Sequence, residues 1–274
     1  MRLWPGGVVC LCRGMNRVIV LLTALGLLVV PSAAVRSGAT ITVLQLNICH
    51  GGMAGCYRGD AALTRAAEVI RSSEPQVLSV NEACSGDVAR LRPAMGNARA
   101  LFVAARNLDG TPVRCRDGDQ RYGNIIMVAD SFGDHRGESG TYTAQYTAAD
   151  GHRELRSWGC LRTPALHACT THLSADHAPT ALAQCRDLLR RAAGFPGPAV
   201  VVGDLNLTEH GSPSIRRCDP PGFSRGGDGA VQHLYAGEDL SLRGIRRLDM
   251  AGTTDHPGLV VTLCLEPPVS RALT

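Results

Sequence analysis

The 274-residue chain contains no lysine, so all 28 of its basic side chains are arginine. No ε-amine is present for Schiff-base chemistry or for the lysine of a phosphate-binding P-loop. Aromatic residues are scarce, with 4 Phe, 5 Tyr and 2 Trp, which argues against a surface of exposed rings that inserts into lipid. No C-x-x-C pair occurs among the 11 cysteines, which argues against a zinc site. The longest mainly apolar run, Val18 to Val30, is too short to cross a bilayer comfortably. No break in composition, internal repeat or low-complexity tract divides the chain.

What surrounds that apolar run gives it a meaning. Asn16-Arg17 precedes it, and Pro31 followed by Ser32-Ala33-Ala34 closes it. A positive flank, a short apolar stretch and small residues predict a secretory signal peptide over residues 1–34, cleaved after Ala34. Met15 offers a later start, which would make residues 1–14 an over-called beginning. An uncleaved anchor is the alternative. Cleavage removes Arg2, Arg13 and Arg17 and no acid, so the formal charge falls from +4 to +1. A nearly neutral chain has no strong non-specific attraction for nucleic acid.

Nine cysteines remain after the leader, in keeping with an oxidising compartment. Cys49 and Cys56 bracket a glycine-rich loop, and Cys160 and Cys169 fall on adjoining strands, so each pair is expected to bridge. Cys84–Cys115 is expected from loop placement. Nine is odd, so at least one stays free or pairs between chains. Cys185, on the apolar stripe Leu182, Cys185, Leu189 and Ala192 of a helix over 179–193, is the expected free, buried thiol. The partners of Cys218 and Cys264 stay open.

The pattern of apolar runs predicts an α/β chain. Ala199-Val200-Val201-Val202 reads as a buried strand that stops at Gly203, where the backbone can turn or approach another closely. Asp204 and Asn206 follow, two apart, and so face one cleft. Similar runs end at Asn47, Glu82, His172 and the turn Asp255-His256. Further strands are expected at 123–128, 153–161, 165–172, 231–235 and 259–265. Helices are expected over 87–95 and from Asp60, with Asp60 as cap and Leu63, Ala66, Ala67 and Ile70 as apolar stripe. Residues 212–229 read as loop. Each strand-end polar residue has a dull explanation alone; five such ends in separate elements point to one site.

The ordered set Leu46-Asn47-Ile48, Asn81-Glu82, Tyr122-Gly123-Asn124, Thr171-His172-Leu173, Gly203-Asp204-Leu205-Asn206 and Thr254-Asp255-His256 resembles the endonuclease/exonuclease/phosphatase superfamily, which includes DNase I-like nucleases. The resemblance runs from about Thr40 to Leu265 and assigns residues 40–266 to one domain, with 267–274 as a tail. It implies a four-layer α/β sandwich, two mostly antiparallel β-sheets packed face to face with helices outside. It also implies a monomer acting on a phosphoester: nucleic acid, nucleotide or lipid head group. Glu82 would be the main metal ligand, with Asn47 and Asp255 beside it. Mg²⁺ suits such oxygen donors, with Mn²⁺ or Ca²⁺ as alternatives. Asp204 would accept a proton from the attacking water, with Asn206 fixing its geometry. His256, oriented by Asp255, would stabilise the pentavalent phosphorus or protonate the leaving oxygen, His172 would hydrogen-bond the non-bridging phosphate oxygens, and Tyr122 and Asn124 would contact substrate.

One position departs from the pattern. Relatives carry Asp as the partner of a catalytic histidine where this chain has Gln232. Gln232 is expected to face the histidines, and Gln232→Asp to speed hydrolysis, unless Asp228 or Asp249 already supplies the charge. The leading expectation is a secreted, metal-dependent phosphodiesterase, a nuclease first. Against the nuclease, Cys84 stands where DNase I-like chains place a groove-entering Arg. The alternatives are a phosphomonoesterase, a sphingomyelinase-type hydrolase, or a catalytically weak binding protein on the same fold.

Overall fold

The computed structural model describes residues 38–147 and 154–266. The expected signal peptide and the tail 267–274 lie outside the described residues.

Among the described residues, twelve strands form two six-stranded sheets. The first holds β1 (Thr40–Asn47), β2 (Val77–Cys84), β3 (Ala98–Ala104), β4 (Tyr122–Ala129), β11 (Leu240–Leu248) and β12 (Gly258–Leu265), in the order β11-β12-β1-β2-β4-β3. The second holds β5 (Arg136–Thr141), β6 (Ser157–Arg162), β7 (His167–His172), β8 (Ala199–Asp204), β9 (Phe223–Gly227) and β10 (Gln232–Gly237), in the order β5-β6-β7-β8-β10-β9. Each sheet has one parallel pair, β1–β2 in the first and β7–β8 in the second. All other neighbours are antiparallel.

Side chains alternate faces along a strand, and in the central strands both faces are buried. Ile41 and Val43 of β1 meet Val200 and Val202 of β8 between the sheets. Leu44, Leu46 and Ile48 point the other way, onto α1 (Asp60–Ser73) and α2 (Asp87–Met95). Val201 and Tyr235 of the second sheet pack likewise against Leu182 and Leu189 of α3 (Ala178–Ala193). The layers are therefore helices, sheet, sheet, helix, the expected sandwich.

The alternation also builds the site. Followed toward one end, the residues facing the other sheet turn from apolar to polar. Ile41 and Val43 give way to Gln45 and Asn47; Val77 to Ser79 and Asn81; Val200 and Val202 to Asp204; Leu234 to Gln232.

Of the four disulfides seen between described residues, three are the expected Cys49–Cys56, Cys84–Cys115 and Cys160–Cys169. The fourth, Cys185–Cys218, corrects the expectation of a free thiol at Cys185. A short 3-10 turn, Ile215–Cys218, packs on α3. The stripe position that buried Cys185 brought it to a partner 33 residues on. That turn and β9 also lie within the stretch expected to be loop. Asp60 is not a cap: α1 begins at Asp60 after Gly59, with no side-chain cap. β3, which the apolar pattern did not reveal, covers the far side of β4. Among the described residues, no helix is long and apolar enough to cross a membrane.

Candidate active site

The two parallel pairs bring the strand-end residues together. Asn47 pairs in register with Asn81, next to Glu82, and His172 with Asp204. Parallel strands end on the same side, so each pair delivers both residues to one edge of the sandwich. Gly203 makes the second pairing possible, because a Cβ there would lie 2.0 Å from the Thr171 carbonyl oxygen. It is the close approach that a glycine before Asp204 allows. Glu82 sits at φ 56° in an irregularity of the β2–β4 ladder between Val80 and Ala83. An irregularity of this kind re-aims a side chain. Without it, strand alternation from Asn81 would turn Glu82 toward the helices.

The facing carboxylates are bridged by one amide. Asn47 Nδ2 donates to Glu82 Oε1 at 2.9 Å and to Asp204 Oδ2 at 3.2 Å. The Asn47 oxygen accepts from the Cys49 amide at 3.2 Å, so the nitrogen faces the carboxylates. Asp204 is otherwise tied to the backbone: its Oδ1 accepts from the Asn206 amide at 3.1 Å, and its own N–H donates to Asn81 Oδ1 at 2.8 Å. Asn206, at φ 50°, donates from Nδ2 to the Leu173 carbonyl at 3.0 Å. His172 Nε2 and His256 Nε2 approach Asp204 Oδ2 to 3.9 and 3.6 Å. The cluster opens on a cavity of about 500 Å³, lined in part by Glu82, Tyr122, Arg156, His172, Asp204, Asn206 and His256.

Burial sets the electrostatics. It raises the Glu82 carboxyl above its ordinary range, partly offset by the Asn47 hydrogen bond and reinforced by Asp204. It raises Asp204 too, against the opposing pull of His256 and Asn47. Burial pushes His172 well below its ordinary value, helped by the nearby Arg156 and His256. His172 is therefore neutral at neutral pH. A buried and a half-buried acid sharing one amide are a charge excess that a divalent cation would offset.

Other expected residues lie off the cavity. Asn124 is buried beneath it, accepting from Asn81 Nδ2 at 2.9 Å. Asp255 is at the rim, with its carboxylate 60% exposed and 3.7 Å from His256 Nε2. Gln232 does not face the histidines. Its amide bonds Asp228, Gln45 and the Pro257 carbonyl. Asp249 is exposed and accepts from the Ala251 amide in its own turn.

Sequence reasoning missed Arg156. Its guanidinium lies in the cavity wall at 13% exposure, 3.6 Å from Glu154, and its NH1 nitrogen is buried without a hydrogen-bond partner. Burial pulls its pKa down, but Glu154, Tyr122, Glu82 and Asp204 outweigh that and hold it charged. The reason it was missed is directional. Arg156 precedes β6, which runs antiparallel to β7, so the start of β6 lies beside His172. A search confined to strand C-termini passes over it. Met53, Ala54 and Val113 add an apolar wall beyond Tyr122.

Fold and site together define a DNase I-like α/β sandwich with a polar cleft at one edge. The chain belongs to the Endonuclease/Exonuclease/phosphatase family, whose model matches residues 44–256. No curated protein matches it. Among solved structures, the endonuclease/exonuclease/phosphatase from Beutenbergia cavernae aligns with a TM-score of 0.61 and 18% identity, over 84% of this chain and 72% of that one. The family member from Bacteroides vulgatus gives 0.60 and 13%, over 83% and 100%. D. rerio TDP2, in complex with a single strand DNA product, gives 0.58 and 14%, over 82% and 99%.

Proposed function

We propose that the chain is a secreted, divalent-metal-dependent phosphodiesterase of this family, with nucleic acid as the first substrate class and residues 40–266 as its one catalytic domain. The observation that carries the reading is the one cavity shared by Glu82 and Asp204, the mostly buried Arg156 guanidinium and the imidazoles of His172 and His256. The disulfides among the described residues support an oxidising compartment. The single strand DNA product bound to D. rerio TDP2 supports nucleic acid over lipid. The disulfide at Cys84, where a groove-entering Arg is expected, favours single strands over duplex.

Glu82 would hold the cation, with Asp255 at the rim and Asn47 through its oxygen once the amide is turned. When bound, the cation polarises the phosphoryl oxygen and offsets developing charge. Asp204, its basicity raised by burial, accepts the proton of the attacking water. Asn206 and the Asn81 side chain hold Asp204 in place. Arg156 supplies fixed positive charge to a non-bridging oxygen, and His172 and His256 donate N–H groups to the others.

Purified protein lacking residues 1–34, assayed with Mg²⁺, Mn²⁺ or Ca²⁺, tests the proposal. The substrates are single-stranded and duplex DNA, RNA, sphingomyelin and bis-p-nitrophenyl phosphate. EDTA-sensitive cleavage of single-stranded nucleic acid and the diester is expected. No hydrolysis with any cation leaves the binding-protein reading in its place.

A further inference from the structure

Gln232 stands where the family pattern has an acid, and a substitution at such a place suggests a weakened enzyme. The hydrogen bonds argue for a different device. Gln232 is fully buried at the start of β10, opposite Asp204 in register. Its Nε2 donates to the carbonyl of Pro257, the residue after His256, at 2.6 Å. The same nitrogen donates to Asp228 Oδ2 at 3.2 Å. Its Oε1 accepts from Gln45 Nε2 at 3.3 Å. Gln45 Nε2 also donates to Asn81 Oδ1 at 2.7 Å, and that oxygen receives the Asp204 backbone N–H. A chain of buried amides thus links the His256 turn to the backbone of Asp204 from beneath, between the sheets.

We infer that Gln232 is a positioning residue for His256, acting through the Pro257 main chain and not on the imidazole ring. The inference rests on the proposed hydrolytic reading for its kinetic consequence only. The donor is the essential part. Asp228 is already an acceptor, held by the Ala230 amide at 2.7 Å and the Gln232 amide at 3.2 Å. The Pro257 oxygen is an acceptor as well. Between two acceptors only a donor fits, and an amide supplies both N–H groups while its oxygen serves Gln45. A carboxylate at 232 would face the Asp228 carboxylate and a carbonyl oxygen in a dry layer. It would leave the Pro257 oxygen unsatisfied. The family's acid is therefore excluded here by Asp228, and Gln232→Asp slows the enzyme where the sequence pattern alone expects it to gain.

Three measurements test this. In the unaltered protein, the Gln232 Nε2 protons should exchange with D₂O far more slowly than those of an exposed glutamine. In Gln232→Met, which keeps length but loses both donors, the His256 Cε1–Hε1 NMR signal should shift or broaden. Its kcat should fall about 10- to 100-fold, the scale of a small misplacement, with KM nearly unchanged. Gln232→Asp should be no faster than wild type. Rapid exchange of the Nε2 protons overturns the inference. So does a folded Gln232→Met protein with the wild-type His256 signal and kcat, or a Gln232→Asp protein faster than wild type. Should the variants fail to fold, the exchange rate decides. Should the unaltered protein hydrolyse nothing, the proposed function fails, while the exchange rate and the His256 signal still decide the positioning.

Discussion

Glu82 carries two properties that a single substitution separates. It is half-buried and bridged to Asp204 by Asn47, and desolvation raises its carboxyl. Glu82→Gln keeps the size and the acceptor for Asn47. Metal-stimulated hydrolysis should fall by about 10²–10³-fold or more, and the rise in Tm on adding Mg²⁺ to wild type should disappear. An unchanged Mg²⁺ response would remove Glu82 from the cation site. Arg156 is the converse case, a mostly buried positive charge whose NH1 nitrogen lies 3.6 Å from Glu154 and makes no hydrogen bond. Arg156→Met should lower kcat/KM by about 100-fold while leaving Mg²⁺ binding intact by calorimetry. A loss of Mg²⁺ affinity instead would make Arg156 a structural counter-charge to Glu82 and Asp204.

At the scale of elements, the β7–β8 parallel pair decides the spacing of His172 and Asp204. Gly203 is its weak point. An alanine Cβ would lie 2.0 Å from the Thr171 carbonyl oxygen, which is backbone and cannot turn away. Gly203→Ala should cost about 1–3 kcal/mol or more by forcing the strands apart, read as a drop in Tm. It should also lower kcat at temperatures where the variant stays folded, because His172 and Asp204 separate. Full activity in a folded Gly203→Ala protein would show that the pairing distance is not critical. The apolar run before Asp204 made this strand readable in the sequence, and the glycine made the close approach readable. The neighbour it approaches, β7, is set by the fold.

Across the whole molecule, the stability depends on pH through opposed groups. His167, His172 and His233 are all depressed by burial, the last despite its bond to the Leu207 carbonyl. Groups with lowered folded pKa bind fewer protons than in the unfolded chain, so their contribution is present above about pH 6.5 and lost as pH falls. Glu82 and Asp204 are raised, so they work in the other direction: their contribution is present at low pH and lost as pH rises through their folded values. Glu82→Gln removes one of the opposing groups. Without metal it should be more stable than wild type at pH 7.5, and the difference should close on acidification toward pH 4.5. Denaturant unfolding across that range, in EDTA, is the measurement. A difference that widens as pH falls would reverse the sign of the Glu82 shift.

Local chemistry alone determined a good part of this protein. Strands rich in Val, Ile and Leu that end in Asn47, Glu82, His172 and Asp204 were readable because both faces of each strand are buried and the chain changes polarity abruptly at the site. Cys49 and Cys56, and Cys160 and Cys169, were readable because few residues separate them. Tertiary structure decided what proximity in sequence cannot carry. Cys185 meets Cys218 because a 3-10 turn folds onto α3. Arg156 reaches the cavity because β6 runs against β7. Gln232 binds a main-chain carbonyl and not a histidine ring because Asp228 and Pro257 close around it from two loops. Strand polarity shows which residues reach an edge. The direction of a hydrogen bond there is settled by partners that arrive from elsewhere in the chain.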